Sequence, residues 1–375
     1  MKGRVALLFV LALVSVPLVV ATPGSRARAQ RPIQKGMSYA AWWSGEYSTP
    51  DADLSLQNLT LTGTEWISLI VTGFQDTVSS TTISFTTLAT PTDADLAHVI
   101  GEAHELGLKV MLKPHVDLLA PDSWRGQIGE EFTTEGQWEA WFASYRNFIE
   151  HYAELAQTYG ADQFSVGTEL VGTSHREEDW RAVIAGVRAR YDGPLVYAAL
   201  YGGEETRLTW WDAVDYIGVD AYYELTDRND PSMDELRAAW SPHVTTLANL
   251  ADTWGKAIVL TEVGYRSLDG ANRYPYDSWS VGSVDLEEQA DAYQAAFESV
   301  CGQPWLAGMF WWYWRTDPSQ GGVHSDDYTP HNKPAEQVLS RWYHSTSLLS
   351  YCLATTFLPI VVKQIGPPLV CSECN

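Results

Sequence analysis

Two glutamates close short apolar runs. Glu169 ends the run Asp162-Gln163-Phe164-Ser165-Val166-Gly167-Thr168, and Glu262 ends Ala257-Ile258-Val259-Leu260-Thr261. An ionised carboxylate is costly to bury without partners, so an apolar strand that stops on one calls for a functional explanation. Two carboxylates facing one cleft are what cleavage of a glycosidic bond needs. One protonates the leaving oxygen, and the other attacks the sugar or activates water. A single glutamate at a strand end is more often structural; a pair gathered at one place is far more specific. The two lie far apart in the chain, so only a fold that collects distant strand ends can bring them together.

The intervening elements describe such a fold. Strand-like runs at 37–43, 66–71, 108–113, 162–169, 195–199, 216–222, 257–262 and 306–314 alternate with helical stretches. Leu96, Val99, Ile100, Ala103 and Leu106 recur at helical spacing within 93–106. Further helices are expected at 137–159, 177–191, 233–254, 285–300 and 334–344. Eight strands alternating with helices predict an α/β protein, a (β/α)8 barrel. A doubly wound sheet also alternates, but no Gly-rich phosphate loop follows the first strand. In a barrel, functional side chains stand at the C-terminal ends of the strands, where Glu169 and Glu262 stand.

Composition narrows the function classes. The chain of 375 residues has 47 acidic against 24 basic side chains, a net charge of −23. That balance repels a phosphate backbone, so nucleic acid is not an expected partner. Seventeen Trp and 19 Tyr point to a packed aromatic interior, with a few rings left for stacking on a ligand.

At the N-terminus, Lys2 and Arg4 precede an apolar run from Val5 to Ala21, and Ala27-Arg28-Ala29 precedes Gln30. This is the layout of a signal peptide over residues 1–29, so a secreted, extracellular location is expected, with cell-surface attachment as a variant. Cys301, Cys352, Cys371 and Cys374 fall in the last quarter of the chain; four cysteines allow three pairings. Residues 34–344 form the expected catalytic barrel, and 345–375 a tail that either adds a strand or extends loosely.

Several short motifs carry a resemblance. Thr168-Glu169-Leu170, Thr261-Glu262-Val263-Gly264-Tyr265-Arg266-Ser267, Lys113-Pro114-His115, Trp311-Trp312-Tyr313-Trp314 and Lys333-Pro334-Ala335 occur in order. Together they resemble glycoside hydrolase family 113, of the retaining clan A barrel enzymes, over about 34–344. The resemblance implies an endo-acting β-mannanase working by double displacement, with Glu169 as acid/base and Glu262 as nucleophile. It implies a polysaccharide or oligosaccharide partner such as mannan or glucomannan, no cofactor and no metal. A monomer is expected. Many clan members place Asn before the acid/base; Thr168 stands there, so the sugar contact made by that Asn must come from another group. A β-glucanase, xylanase or β-glucosaminidase of the same clan is the alternative, and a barrel that binds carbohydrate without cleaving it is a third reading.

Other side chains are weaker candidates for substrate binding. His115 either bonds the sugar, braces Glu169 or is structural. Tyr222 or Tyr223 could donate to Glu262. Trp311 and Trp312 point to opposite faces, so one is expected as a sugar platform and the other in the core. Trp43 or Trp42 poses the same choice, and Trp124 in the third loop is a lesser case. Arg266 either lends positive charge to the site or is an ion-pair partner. Asp117 is expected as a loop cap and Asp220 in a buried network. Asp317, His324 and Asp326 read as a polar loop rather than a metal site.

Overall fold

In the computed structural model, residues 32–345 apart from Asp122 are described. The segment 1–29, the tail from 346 onwards and three of the four cysteines lie outside them. Eight parallel strands close in chain order: β1 Gln34–Ala40, β2 Trp66–Gln75, β3 Lys109–Leu118, β4 Gln163–Thr168, β5 Leu195–Leu200, β6 Tyr216–Asp220, β7 Ile258–Val263 and β8 Leu306–Arg315, with β8 pairing back onto β1. Helices α1 Pro50–Thr60, α2 Asp93–Glu105, α3 Glu135–Tyr159, α4 Glu177–Arg188, α5 Glu204–Arg207, α6 Met233–Trp254, α7 Leu286–Val300 and α8 Pro334–His344 are interleaved with the strands. This is the expected (β/α)8 barrel.

Local chemistry sets the helix starts. Thr92 and Asp95 form a reciprocal capping box at α2, and Ser232 and Glu235 do the same at α6. At α1, Thr49 caps the Ala52 amide and Pro50 occupies the first turn. The helices bury aromatic faces against the strands. Trp141, Trp180 and Trp240 on these helices, and Trp210 and Trp211 between α5 and β6, are fully buried, and Trp180 stacks on Trp210 at 5.2 Å between ring centroids.

The lower lumen is plugged by Met111, Val196, Val259, Ala307 and Phe310. Gly36 on β1 pairs with Phe310 on β8. A Cβ at Gly36 would lie 2.3 Å from the Phe310 ring, so only glycine fits opposite it. Above the plug the lumen turns polar, and that layer carries the site. Among the described residues no helix is long and apolar enough to cross a membrane.

Several strand limits differ from the sequence reading. β3 runs on to Leu118, so His115 and Asp117 belong to the strand and not to a following loop. β1 ends at Ala40, which leaves Trp42 and Trp43 in the next loop. β6 stops at Asp220, before Tyr222. Helix α1 was not anticipated: its apolar positions are few, although its cap and its proline were visible.

Candidate active site

Register irregularities in β7 shape the first half of the site. The pairing shifts on both sides of the strand, between Val219 and Asp220 against β6 and between Leu260 and Val263 against β8. A shift of this kind re-aims side chains. Consecutive residues Thr261 and Glu262 consequently both reach one buried cluster. Thr261 Oγ1 donates to Asp220 Oδ1 at 2.6 Å. Lys113 Nζ donates to Asp220 at 3.1 and 3.2 Å and to Glu262 Oε1 at 2.5 Å. Tyr222 Oη donates to Glu262 Oε2 at 2.6 Å. Both oxygens of Glu262 therefore have a donor, and the side chain is almost fully buried.

The Lys113 ammonium is one cation between two carboxyl groups. Burial opposes its charge, but Asp220 and Glu262 more than offset that and raise its pKa above the ordinary value. Asp220 is pushed well above the usual carboxylate range, by burial first and by the Glu262 charge second.

Glu169 follows the last residue of β4 in a different setting. Its backbone sits at φ 52°, in the left-handed region that non-glycine residues rarely adopt. Such a conformation costs on the order of 1–3 kcal/mol and persists only where surroundings enforce it. Here the Glu169 amide is held by Ala198 O at 2.8 Å, and the next amide, of Leu170, by Tyr197 Oη at 3.1 Å. The Glu169 side chain keeps 13% of its surface exposed. Burial is the main reason its pKa rises to about 7; Arg125 pulls it down and Glu262 pushes it up.

A chain of contacts links the two glutamates. Arg125 Nη1 lies 3.9 Å from Glu169 Oε2 and 3.0 Å from His115 Nδ1. Asp117 holds the same guanidinium at 2.6 Å. His115 Nε2 lies 3.7 Å from Glu262 Oε1. Burial, then Arg125 and Lys113, keep His115 well below its ordinary pKa, so the ring is neutral. With Nδ1 accepting from Arg125, the proton sits on Nε2. That Nε2–H is buried with no hydrogen-bond partner, and it is aimed at the Glu262 side. His115 thus stands beside Glu262 and does not brace Glu169; Arg125 is the residue that reaches Glu169.

Both carboxyl groups, His115, Arg125 and Tyr222 line one cavity of about 600 Å³. Trp312 lines it too, its ring parallel to His115 within 9° at 6.2 Å. Trp311 faces the other way and stacks on Tyr293 at 3.6 Å in the core. Trp124 is at the rim.

Besides Trp311, three substrate-binding candidates do not line this cavity. Tyr223, in the loop that follows β6, is buried and stacks on His243 at 4.0 Å. Trp43 is 63% exposed and is not among the residues that line the cavity; β1 ends before it. Arg266 bonds Asp326 Oδ2 at 2.6 Å and the Ser280 carbonyl at 2.5 Å, so it is the ion-pair partner of the two readings. Thr168 Oγ1 is buried with no hydrogen-bond partner.

Lys113 and Arg125 went unassigned on sequence. Lys113 belongs to the Lys113-Pro114-His115 motif, but its partners come from β6 and β7. Arg125 follows a loop whose sequence carries no pattern. Tyr201, Tyr276 and Trp279 also line the cavity, on loops that a sequence does not place.

Metal ligands are a separate question. Asp230, Asp269, Asp285 and Glu288 bring oxygens within 4.8 Å of one another, away from the cavity. Glu288 already accepts from the amides of Gly270 and Asn272 and from Asn272 Nδ2, and Asp285 caps α7. Asp317 is engaged with Ser319 and Gln320, and Asp326 with Arg266.

Comparison with known proteins agrees with this arrangement. The family model described as Glycoside Hydrolase Family 113 matches residues 37–333. The β-mannanase AaManA of that family from Alicyclobacillus acidocaldarius, solved in complex with ManMIm, is 32% identical; the match covers 83% of this chain and 97% of that one, with a TM-score of 0.75. A second structure, a complex of a family 113 β-1,4-mannanase, is 31% identical over 84% of this chain and 99% of its own, also at 0.75. The endo-β-1,4-mannanase from Thermotoga petrophila shares the fold at 13% identity, covering 84% of this chain and 77% of its own, with a TM-score of 0.55. No curated protein matches the chain. By the extent of the family match and the identity to these two structures, the chain belongs to glycoside hydrolase family 113.

Proposed function

We propose that this protein is a retaining endo-β-1,4-mannanase in which Glu262 is the nucleophile and Glu169 the acid/base. The observation that carries the roles is the contrast between the two carboxyl groups in one cavity. Glu262 accepts from Lys113 and Tyr222 on both oxygens, and donors of that kind favour a carboxylate. Glu169, held at a pKa of about 7, keeps a proton to give.

In the first step a Glu262 oxygen bonds to the anomeric carbon as the bond to the leaving oxygen breaks, and Glu169 gives that oxygen its proton. In the second step Glu169 takes a proton from water, and the water oxygen displaces Glu262 from the same carbon. The Nε2–H of His115 is a donor without a partner, suited to a sugar hydroxyl next to the reacting carbon. The Trp312 ring supplies an apolar floor for the sugar.

The mannan preference is supported by the two β-mannanase relatives above. A reducing-sugar assay on a polysaccharide panel tests it. Mannan or glucomannan is expected to be cleaved fastest; faster cleavage of cellulose, xylan or chitosan would move the protein to another substrate.

Export is part of the same proposal. Cys301 is disulfide-bonded, which fits an oxidising compartment, and the first 29 residues have the signal-peptide layout. N-terminal sequencing of protein recovered outside the producing cell should begin at Gln30. Retention of Met1 in a cell-associated product would count against export.

A further inference from the structure

The loop between β7 and α7, residues 264–285, carries the most exposed aromatic side chain of the described residues: Trp279 is 90% exposed. Tyr276 on the same loop is 50% exposed. Exposed rings of this size mark contact sites when they adjoin a ligand cavity. Both line the cavity that holds Glu169 and Glu262, so the apolar rim is continuous with the catalytic centre.

The loop tip is built into a fixed shape. Asp277 Oδ1 accepts from the amides of Trp279 at 2.9 Å and Ser280 at 3.0 Å, and Asp277 also takes the Ser280 hydroxyl. Arg266 Nη1 donates to the Ser280 carbonyl at 2.5 Å, while its other nitrogens hold Asp326. On the near side, Tyr328 Oη donates to the Pro275 carbonyl at 2.7 Å, and Tyr328 itself lines the cavity. Arg266 is thus an anchor for the rim.

We propose that Trp279 is the platform of an outer sugar-binding subsite, which holds a saccharide unit of the chain beyond the one at the carboxylates, and that Arg266 is its positioning residue. This rests on the glycosidase reading of the cavity. A saccharide chain is the occupant because the rim runs directly into the cavity, and because a flat indole face beside polar loop groups suits a pyranose ring. The consequence is a preference for long substrates, expressed in KM.

The test compares kcat/KM on mannohexaose with kcat/KM on mannotriose. Trp279→Ala should lower the hexaose-to-triose ratio about tenfold, mainly through KM, and Trp279→Tyr should keep most of it. Arg266→Gln should lower the same ratio, and the double variant should lose no more than the larger single one. Val281→Ser, on the same loop but outside the cavity lining, should leave the ratio unchanged. An equal loss on both substrates in Trp279→Ala would overturn the subsite. So would a ratio that stays put while sedimentation shows a wild-type dimer dissociating in the variant, since Trp279 would then contact a second copy. Wild-type inactivity on every manno-oligosaccharide would overturn only the substrate reading. The ratio would then be read on the cello- or xylo-oligosaccharides that the wild type does cleave, with the same outcomes deciding the subsite.

Discussion

The ends of β4 and β7 present the same side chain in opposite conditions. At β7 the glutamate lies within a strand whose register shifts against both neighbours, and the carboxylate is buried among donors from three other places in the chain: Lys113, Tyr222 and, at longer range, His115. At β4 the backbone is forced to a positive φ, the carboxyl is part-exposed, and its nearest cation is 3.9 Å away. The difference teaches how one residue type is given two roles. A dense donor shell favours the charged form, and a poorly compensated burial favours the protonated one. Under the proposed roles, the strain falls at the position that would present a proton to a leaving group and then take one from water.

The comparison can be broken most severely at β7. Glu262→Ala should reduce kcat by at least about 10⁴-fold on every substrate, since it removes the nucleophile; a loss below a hundredfold would remove Glu262 from that role. Glu169→Ala should cost about 10²–10⁴-fold on polymer. Its loss should shrink on substrates with a good leaving group, and added azide should restore turnover and yield a β-glycosyl azide. Insensitivity to azide together with near-normal turnover would contradict the acid/base assignment.

Lys113→Met should act mainly on stability. It leaves Asp220 and Glu262 facing each other without their shared cation, which should cost about 3–5 kcal/mol in denaturant unfolding at neutral pH. The cost should shrink at acid pH as Asp220, whose pKa burial and the Glu262 charge push up, takes up a proton. A neutral effect at all pH values would mean that the cluster is not held by charge.

The smallest effect belongs to Glu169 itself. Its pKa is raised from 4.5 to about 7 in the folded state. The folded protein therefore binds more protons than the unfolded one between those values. That contribution to stability is full below about 4.5 and is lost as the pH rises through about 7. Glu169→Gln, which cannot ionise, should gain on the order of 1–3 kcal/mol relative to wild type between pH 4.5 and 8. The wild-type kcat/KM should fall on the alkaline side near pH 7, and an alkaline limb above pH 9 would refute the acid role.

Much of this was legible because a barrel puts its chemistry where its apolar runs stop. Glu169 and Glu262 could be read from strand ends alone, and the alternation of Trp311 and Trp312 followed from the two-residue period of a strand. What could not be read came from distance and from loops. Lys113 finds its partners 107 and 149 positions away. Arg125 and Trp279 depend on how long loops fold back over the mouth. Strand limits misled where polar residues continue a strand, as His115 and Asp117 do in β3; of the three readings of His115, the brace on Glu169 is the one its place beside Glu262 does not favour. Trp43 is misplaced for the opposite reason, since β1 ends earlier than its apolar run, and of the pair Tyr222 or Tyr223 it is Tyr222 that donates to Glu262.

The central claim is that Glu262 forms a covalent bond to the sugar. Incubating the enzyme with 2-deoxy-2-fluoro-β-mannosyl fluoride, digesting it and mapping the peptides by mass spectrometry addresses this directly. The account predicts a single fluoroglycosyl adduct on Glu262, formed as activity is lost. An adduct on Glu169, or a first product of α configuration from the uninhibited enzyme, would contradict it.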